Sequence, residues 1–161
     1  MPTNPLFDLA KFDASATVAD LESIRKANPQ RHEMEQLSRV CFVDVPAGEV
    51  AGVLDVPAEP FWARGHIPGR PIMPGVIMLE SAAQLCSWFV RQVYDPNEFA
   101  HRFFGFGGID AVKFRSTVLP GQTMLLLGRQ VEIRPRRAVF ATQGWVDGKM
   151  AFEAVITGMW V

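Results

Sequence analysis

An excess of charge of one sign is what this sequence most plainly lacks. Sixteen Lys and Arg stand against 17 Asp and Glu, a formal net charge of -1. Such a chain has no overall field with which to neutralise phosphates, so nucleic acid is excluded as a partner and any charged partner must meet a local patch. Cysteine is scarce as well. Cys41 and Cys86 have no C-x-x-C spacing and both lie in apolar runs, so they read as small buried hydrophobes of a reducing compartment, with no disulfide between them. With three scattered histidines there is no spacing for a zinc site. G-x-S-x-G, H-E-x-x-H, phosphate-loop and dinucleotide-binding patterns are all missing, so no metal and no cofactor are expected.

Long hydrophobic runs are missing too. Residues 75–90 come nearest to membrane hydropathy, but they fall short of the ~20 apolar residues of a span and carry Glu80 and Gln84, so no membrane span is expected. The N-terminus, MPTNPLFDLAKFDAS, is acidic early and has no basic region leading into an apolar stretch, unlike a secretory signal. A cytoplasmic location is expected. What is present is an ordinary globular composition, 48% hydrophobic and 20% charged over 161 residues, enough for one domain with one core.

Along the chain, Thr17-Val18-Ala19-Asp20 has the form of a capping box and predicts a short helix over Val18 to Lys26, ended by Pro29. The runs LSRVCFVDV and EVAGVLDV, joined at Pro46-Ala47-Gly48, predict a hairpin. Five prolines in residues 57–74 predict a long shaped loop. No breaker follows from Gly75 to Tyr94, which predicts a helix about 30 Å long. Its apolar residues occupy nearly every face, so something must wrap it. The remaining runs alternate and are punctuated by Pro120-Gly121 and Asp147-Gly148, predicting an antiparallel meander through the C-terminal half. The cluster Gly105 to Gly108 reads as a strand bend. One long buried helix and about six antiparallel strands predict an α+β fold, a sheet curled round a helix.

On that helix Glu80, Gln84, Ser87 and Arg91 fall on one face. Two readings of Glu80 are open. It is a desolvated carboxyl held in the neutral form that can donate a proton, or a structural residue, either partly exposed on a helix edge or salt-bridged to an arginine such as Arg70 or Arg91. His66 sits between turns, where it is a reactive candidate or a plain surface histidine. His32 and His101 read as surface residues.

The segment GHIPGRPIMPGVIMLESAAQ, Gly65 to Gln84, resembles the signature G-H-F-P-G-x-P-x-x-P-G-V-x-x-x-E-x-x-A-Q of the β-hydroxyacyl-acyl-carrier-protein dehydratases of bacterial fatty acid synthesis, the FabZ and FabA kind. FGFGGIDAVKFRSTVLPGQ and the Asp147-Gly148-Lys149 hairpin are similar to later stretches of the same family. The resemblance covers residues 29–161 as a single dehydratase domain and leaves residues 1–28 as an N-terminal extension with a short helix, a kind of segment often poorly ordered.

The resemblance implies the hotdog fold and a homodimer, possibly a trimer of dimers, in which the histidine of one subunit faces the glutamate of the other. It implies dehydration of (3R)-hydroxyacyl thioesters to trans-2-enoyl thioesters, with His66 as base and Glu80 as acid. Gly75 then supplies the oxyanion N–H, Val76 contacts substrate and Gln84 orients Glu80. Ile67, Met73 and Phe114 become candidate walls of the acyl tunnel, core packing being an equal account of Met73, Val76 and Phe114. The implied partner is acyl carrier protein bearing a phosphopantetheine-linked substrate, and Lys113, Arg115, Arg134, Arg136 and Arg137 form a candidate docking patch or a solvated charged turn. Ile67 stands where the family has Phe, Gln122 where it has an acidic residue, and His32-Glu33 where it has Tyr-Pro. Glutamate rather than aspartate at position 80 favours the plain dehydratase over the dehydratase-isomerase. The rivals are a hotdog thioesterase in which Glu80 activates water, and a non-catalytic acyl-binding hotdog subunit.

Overall fold

A computed structural model describes residues 4–94, 97–98 and 101–161. Six strands form one sheet: β1 (Arg39–Asp44), β2 (Glu49–Asp55), β3 (Phe104–Phe114), β4 (Thr123–Arg134), β5 (Arg137–Val146) and β6 (Lys149–Trp160). All pairings are antiparallel, in the order β1-β2-β4-β5-β6-β3. The helix α2, Gly75–Val93, lies against them, and eleven of its residues between Met78 and Val90 are buried. A helix closed on nearly every face by one curled sheet is the hotdog arrangement that the resemblance implies.

Strand periodicity decides which residues meet the helix. Along β2 and β4, Val50, Leu54, Met124 and Leu126 join Leu85, Cys86 and Phe89 in the inner core. Their neighbours Ala51, Val53 and Leu127 point outward into a second cluster. Both cysteines are free and buried, one in each layer. Burial pushes the Cys41 thiol up to about 11 and raises that of Cys86 further; neither is a nucleophile at neutral pH.

Two expectations are corrected. The C-terminal half is a meander only over β4-β5-β6, because β3 pairs with β6 at the far edge of the sheet. Hairpin signals mark turns but carry no information about a strand that must cross the sheet to find its neighbour. The short helix α1 runs over Leu21–Ala27 instead of starting at Val18, and Asp20 is the cap, accepting the Ser23 N–H at 2.9 Å. Val18 and Ala19 are held instead by Val40 in β1, through N–H bonds to its carbonyl and a return bond to Ala19.

Near the N-terminus, residues 6–12 pack on the outer face of the sheet. Phe7 is buried there against Cys41, Ala51, Val53 and Leu127, flanked by Leu6, Leu9 and Phe12. The rings of Phe12 and Phe42 stack at 5.0 Å. Leu6 N–H donates to Gln143 Oε1 at 3.0 Å, and Lys11 and Arg129 close on the buried carboxylate of Glu49 at 2.7 and 3.0 Å. A leader that leaves so large an outer apolar surface covered contributes directly to stability. Phe7→Ala is therefore expected to lower the unfolding free energy by about 3 kcal/mol, read as the midpoint shift in urea.

Candidate active site

The loop of residues 56–74 is held by its own backbone. The Val56 N–H bonds Gln122 O, the His66 N–H bonds Trp62 O at 2.8 Å, Ile67 and Arg70 exchange bonds, and Ile72 N–H returns to His66 O at 3.0 Å. The His66–Ile67 peptide bond is cis. Within this frame His66 Nδ1 lies 2.8 Å from Ile72 O. A carbonyl oxygen only accepts, so Nδ1 carries the proton and Nε2 presents its lone pair. A half-buried imidazole with a fixed tautomer is suited to accept a proton.

The loop delivers Pro74 to the start of α2, where no side chain caps the helix. The first amides, at Gly75 and Val76, therefore have no intrahelical acceptor and lie at the positive end of the dipole. The ring of Phe114 covers Gly75 so closely that an added Cβ would stand 2.5 Å from Phe114 Cζ. Only glycine leaves both the ring and the amide in place.

One turn and a half into the helix, Glu80 is half-buried. Gln84 Nε2 donates to Glu80 Oε1 at 2.8 Å, and Gln30 Nε2 makes a longer contact to the same oxygen at 3.5 Å. Neither Arg70 nor Arg91 pairs with it: Arg91 donates to Arg102 O and lies over the Trp160 ring at 4.4 Å. Burial outweighs the two amide bonds and raises the Glu80 carboxyl above its ordinary value. The arginine pairing is not made, and the carboxyl is both partly exposed and partly desolvated.

Gln84 is itself fixed from both ends. Its Oε1 accepts Gln36 N–H at 2.8 Å, its Nε2 also donates to Met34 O at 2.6 Å, and Asn28 holds its backbone carbonyl at 2.9 Å. Residues 28–36 are thus a collar round this part of α2, and Gln30 within it escaped sequence reasoning. Nothing in a run of polar residues after a helix shows that one of them will lie against a glutamate fifty positions later.

Glu80 opens into a cavity of about 160 Å³ lined by Gln30, Cys86, Ser87, Phe103, Phe104 and Phe106 among others. A second cleft of about 500 Å³ lies near the loop, between Trp62 and Met73 on one side and His32, Glu33 and Gln36 on the other. His66 lines neither of these two cavities, and its ring is hydrogen-bonded to Ile72 O, not to Glu80. Ile67, Val76 and Phe114 are exposed, whereas Met73 is packed in the core. The five basic residues fall into two groups. Lys113 and Arg115 both engage Glu153, while Arg134 and Arg137 both engage Glu132. The partners of Lys113 and Arg137 on β6, Glu153 and Met159, are six residues apart, about 20 Å along a strand, so there is no single patch. Among the described residues, no group of three or more His, Cys, Asp or Glu could hold a metal ion, and no helix is long and apolar enough to cross a membrane.

Residues 28–155 match the model of the FabA-like domain. The chain belongs to the FabA-like family. It is 34% identical over 139 residues to the 3-hydroxyacyl-[acyl-carrier-protein] dehydratase FabZ of Streptococcus thermophilus, covering 86% of this chain and 94% of that one. The enzyme of the same name from Streptococcus sanguinis is 33% identical over 86% of this chain and 95% of its own. Among solved structures, the dehydratase heterocomplex ApeI:P from Xenorhabdus doucetiae superposes with a TM-score of 0.72 at 14% identity, covering 86% of this chain and 90% of that one. A mutant thioesterase from Pseudomonas aeruginosa superposes with a TM-score of 0.65 at 14% identity, covering 92% and 99%. At those identities the structural likenesses speak for the fold alone.

The raised Glu80 pKa has a stability consequence with a definite sign. Below about pH 4 the carboxyl is neutral in both folded and unfolded chains. As pH rises past that value the unfolded chain releases its proton while the folded one retains it, so folded stability falls until the folded pKa is passed. Glu80→Gln removes this titration and keeps the shape. The melting temperature of Glu80→Gln relative to wild type is expected to rise from about pH 4 upward and to level off once the raised folded pKa is passed, followed by calorimetry at matched ionic strength.

Proposed function

We propose that this FabA-like protein is a hydro-lyase that removes water from (3R)-hydroxyacyl thioesters carried on acyl carrier protein, giving trans-2-enoyl thioesters in the cytoplasmic synthesis of fatty acids or related lipids. Residues 29–161 carry the reaction, residues 6–12 brace the sheet from outside, and α1 packs against α2. The observation that carries the reading is a glutamate whose carboxyl pKa is raised by burial, held on one oxygen by Gln84 and open to a cavity, in a chain related to FabZ dehydratases along most of its length. The same upward shift works against the thioesterase alternative, because a carboxyl that activates water must be ionised.

In this reading Nε2 of His66 takes the C2 proton. The C2–H electron pair becomes the C2=C3 bond, the C3–O pair leaves with oxygen, and the Glu80 proton converts the departing hydroxyl to water. Return of the proton from His66 to Glu80 resets both groups. Negative charge building on the thioester oxygen is met by the Gly75 N–H at the helix start. Val76 flanks that amide, and Ile67, Met73 and Phe114 are the proposed acyl-tunnel walls.

The catalytic pair is completed by a second subunit. β3 is an edge strand, and it exposes Phe106, Ile109, Val112 and Phe114. A long apolar edge of this kind invites pairing with another chain. Pairing of two β3 edges in a homodimer covers Ile67, Val76 and Phe114 and sets His66 of the partner subunit against Glu80, with further assembly to a trimer of dimers.

Purified protein with a 3-hydroxyacyl thioester is expected to generate enoyl absorbance, with turnover reduced about 10²–10⁴-fold in His66→Ala or Glu80→Gln. Co-refolding these two inactive variants in equal amounts is expected to restore about one quarter of wild-type turnover, because half of the randomly formed two-fold dimers then hold one intact site of two. Undiminished single variants would remove the assigned roles, and absence of rescue would remove the shared site. The acidic carrier is proposed to dock on the basic residues, most of all at the turn of Arg134, Arg136 and Arg137, where the exposed Arg136 has no ion pair among the described residues. Replacing all three by Glu is expected to raise KM for carrier-linked substrate about tenfold or more and to leave KM for the coenzyme A thioester nearly unchanged. Lys113→Glu with Arg115→Glu tests the other group by the same comparison.

A further inference from the structure

Gln30, one of the residues lining the cavity beside Glu80, carries a polar atom that the protein itself leaves unused. Gln30 Oε1 is buried and has no hydrogen-bond partner, while its Nε2 faces Glu80 Oε1. The other amide in this neighbourhood is fully committed, since Gln84 Oε1 is occupied by Gln36 N–H and its Nε2 by Met34 O and Glu80. A buried acceptor left unmatched costs about 1–3 kcal/mol. In a cavity, that cost is recovered when an incoming ligand brings a donor.

The dehydratase reading, on which this inference rests, names that donor. A hydroxyl has one O–H hydrogen and two lone pairs. When its oxygen takes a proton from Glu80, its own hydrogen still needs an acceptor, and the surrounding wall of Phe103, Phe104, Phe106 and Ile156 offers none. Ser87, a further polar residue of the lining, lies seven residues beyond Glu80 on the same helix, about 10 Å along its axis. That is too far for a hydroxyl held at Glu80.

We propose that Gln30 is a substrate-contacting specificity residue, whose Oε1 accepts the hydrogen of the substrate's 3-hydroxyl while Glu80 Oε2 delivers the proton that turns that hydroxyl into water. The choice of Oε2 follows from the amides: Gln84 and Gln30 both direct N–H groups at Oε1, so Oε1 is the carbonyl-type oxygen and the acid proton sits on the other. Gln30 thereby distinguishes a 3-hydroxyacyl chain from a saturated one of equal length, and it favours the hydroxyl orientation that reaches both residues.

The test compares wild type with Gln30→Met, which keeps the side-chain length and removes the acceptor. Two thioesters of equal chain length are used, the 3-hydroxyacyl substrate and the saturated acyl analogue as inhibitor. Loss of the acceptor is expected to lower kcat/KM for the hydroxyacyl thioester about tenfold, while the inhibition constant of the saturated analogue changes by less than about twofold. Gln30→Leu is read in the same way should Gln30→Met fold poorly by melting temperature. Equal losses for both thioesters would make Gln30 a merely structural residue and overturn the assignment, as would no loss for either. A wild type without any turnover would remove the dehydratase reading and this inference together. Turnover with no hydroxyl-selective loss would remove this inference alone.

Discussion

Enclosure of α2 is the constraint on which the other features depend. Burial of Leu85, Phe89 and Val90 to complete exclusion from solvent provides the apolar driving force that curls the sheet. The same enclosure takes water from Glu80. A carboxyl in that position is costly in its ionised form, so the packing that stabilises the fold also raises the pKa of the Glu80 carboxyl. The site is therefore a by-product of the core, and its chemistry is set by how completely the sheet and the collar of residues 28–36 close round one face of the helix.

The two reactive candidates are positioned by different devices. His66 is fixed by backbone, through turns and a carbonyl that dictates its tautomer. Glu80 is fixed by side chains, through an amide whose three hydrogen bonds leave it no freedom to rotate. A loop suits a base that must meet a substrate entering from outside, and a rigid helix suits an acid that must stay dry. The N-terminal leader adds a third layer that touches neither group. It braces β2 and β4 from the outer face, and β2 and β4 in turn carry the inner residues that pack on α2.

Much of this was legible in the sequence because the signals are local. The absence of breakers from Gly75 to Val93 predicts the helix, and its all-round hydrophobicity predicts its enclosure. Asp147-Gly148 predicts the β5–β6 turn, and the prolines predict the loop. The polar face predicts that Gln84 meets Glu80, since i and i+4 residues of a helix are neighbours whatever surrounds them. Illegible were the crossing of β3 to the far edge, the choice of Asp20 over Thr17 as cap, and the docking of Phe7 on the sheet. Each depends on a competition between distant partners. Val40 takes Val18 and Ala19 out of the helix because a strand edge is available there, and no periodicity in residues 17–26 records that edge.

By itself, then, the sequence determined the element types, the buried helix, and the presence of a histidine loop ahead of a glutamate helix, because propensity, breakers and spacing act over a few residues. Only the tertiary structure decided that burial raises the Glu80 pKa, that Gln30 reaches it from fifty residues away, that the five basic residues are split and largely paired with Glu153 and Glu132, and that β3 stands exposed at the sheet edge. Those outcomes rest on burial and electrostatics, and both are properties of a residue's surroundings in space, which chain order does not encode locally.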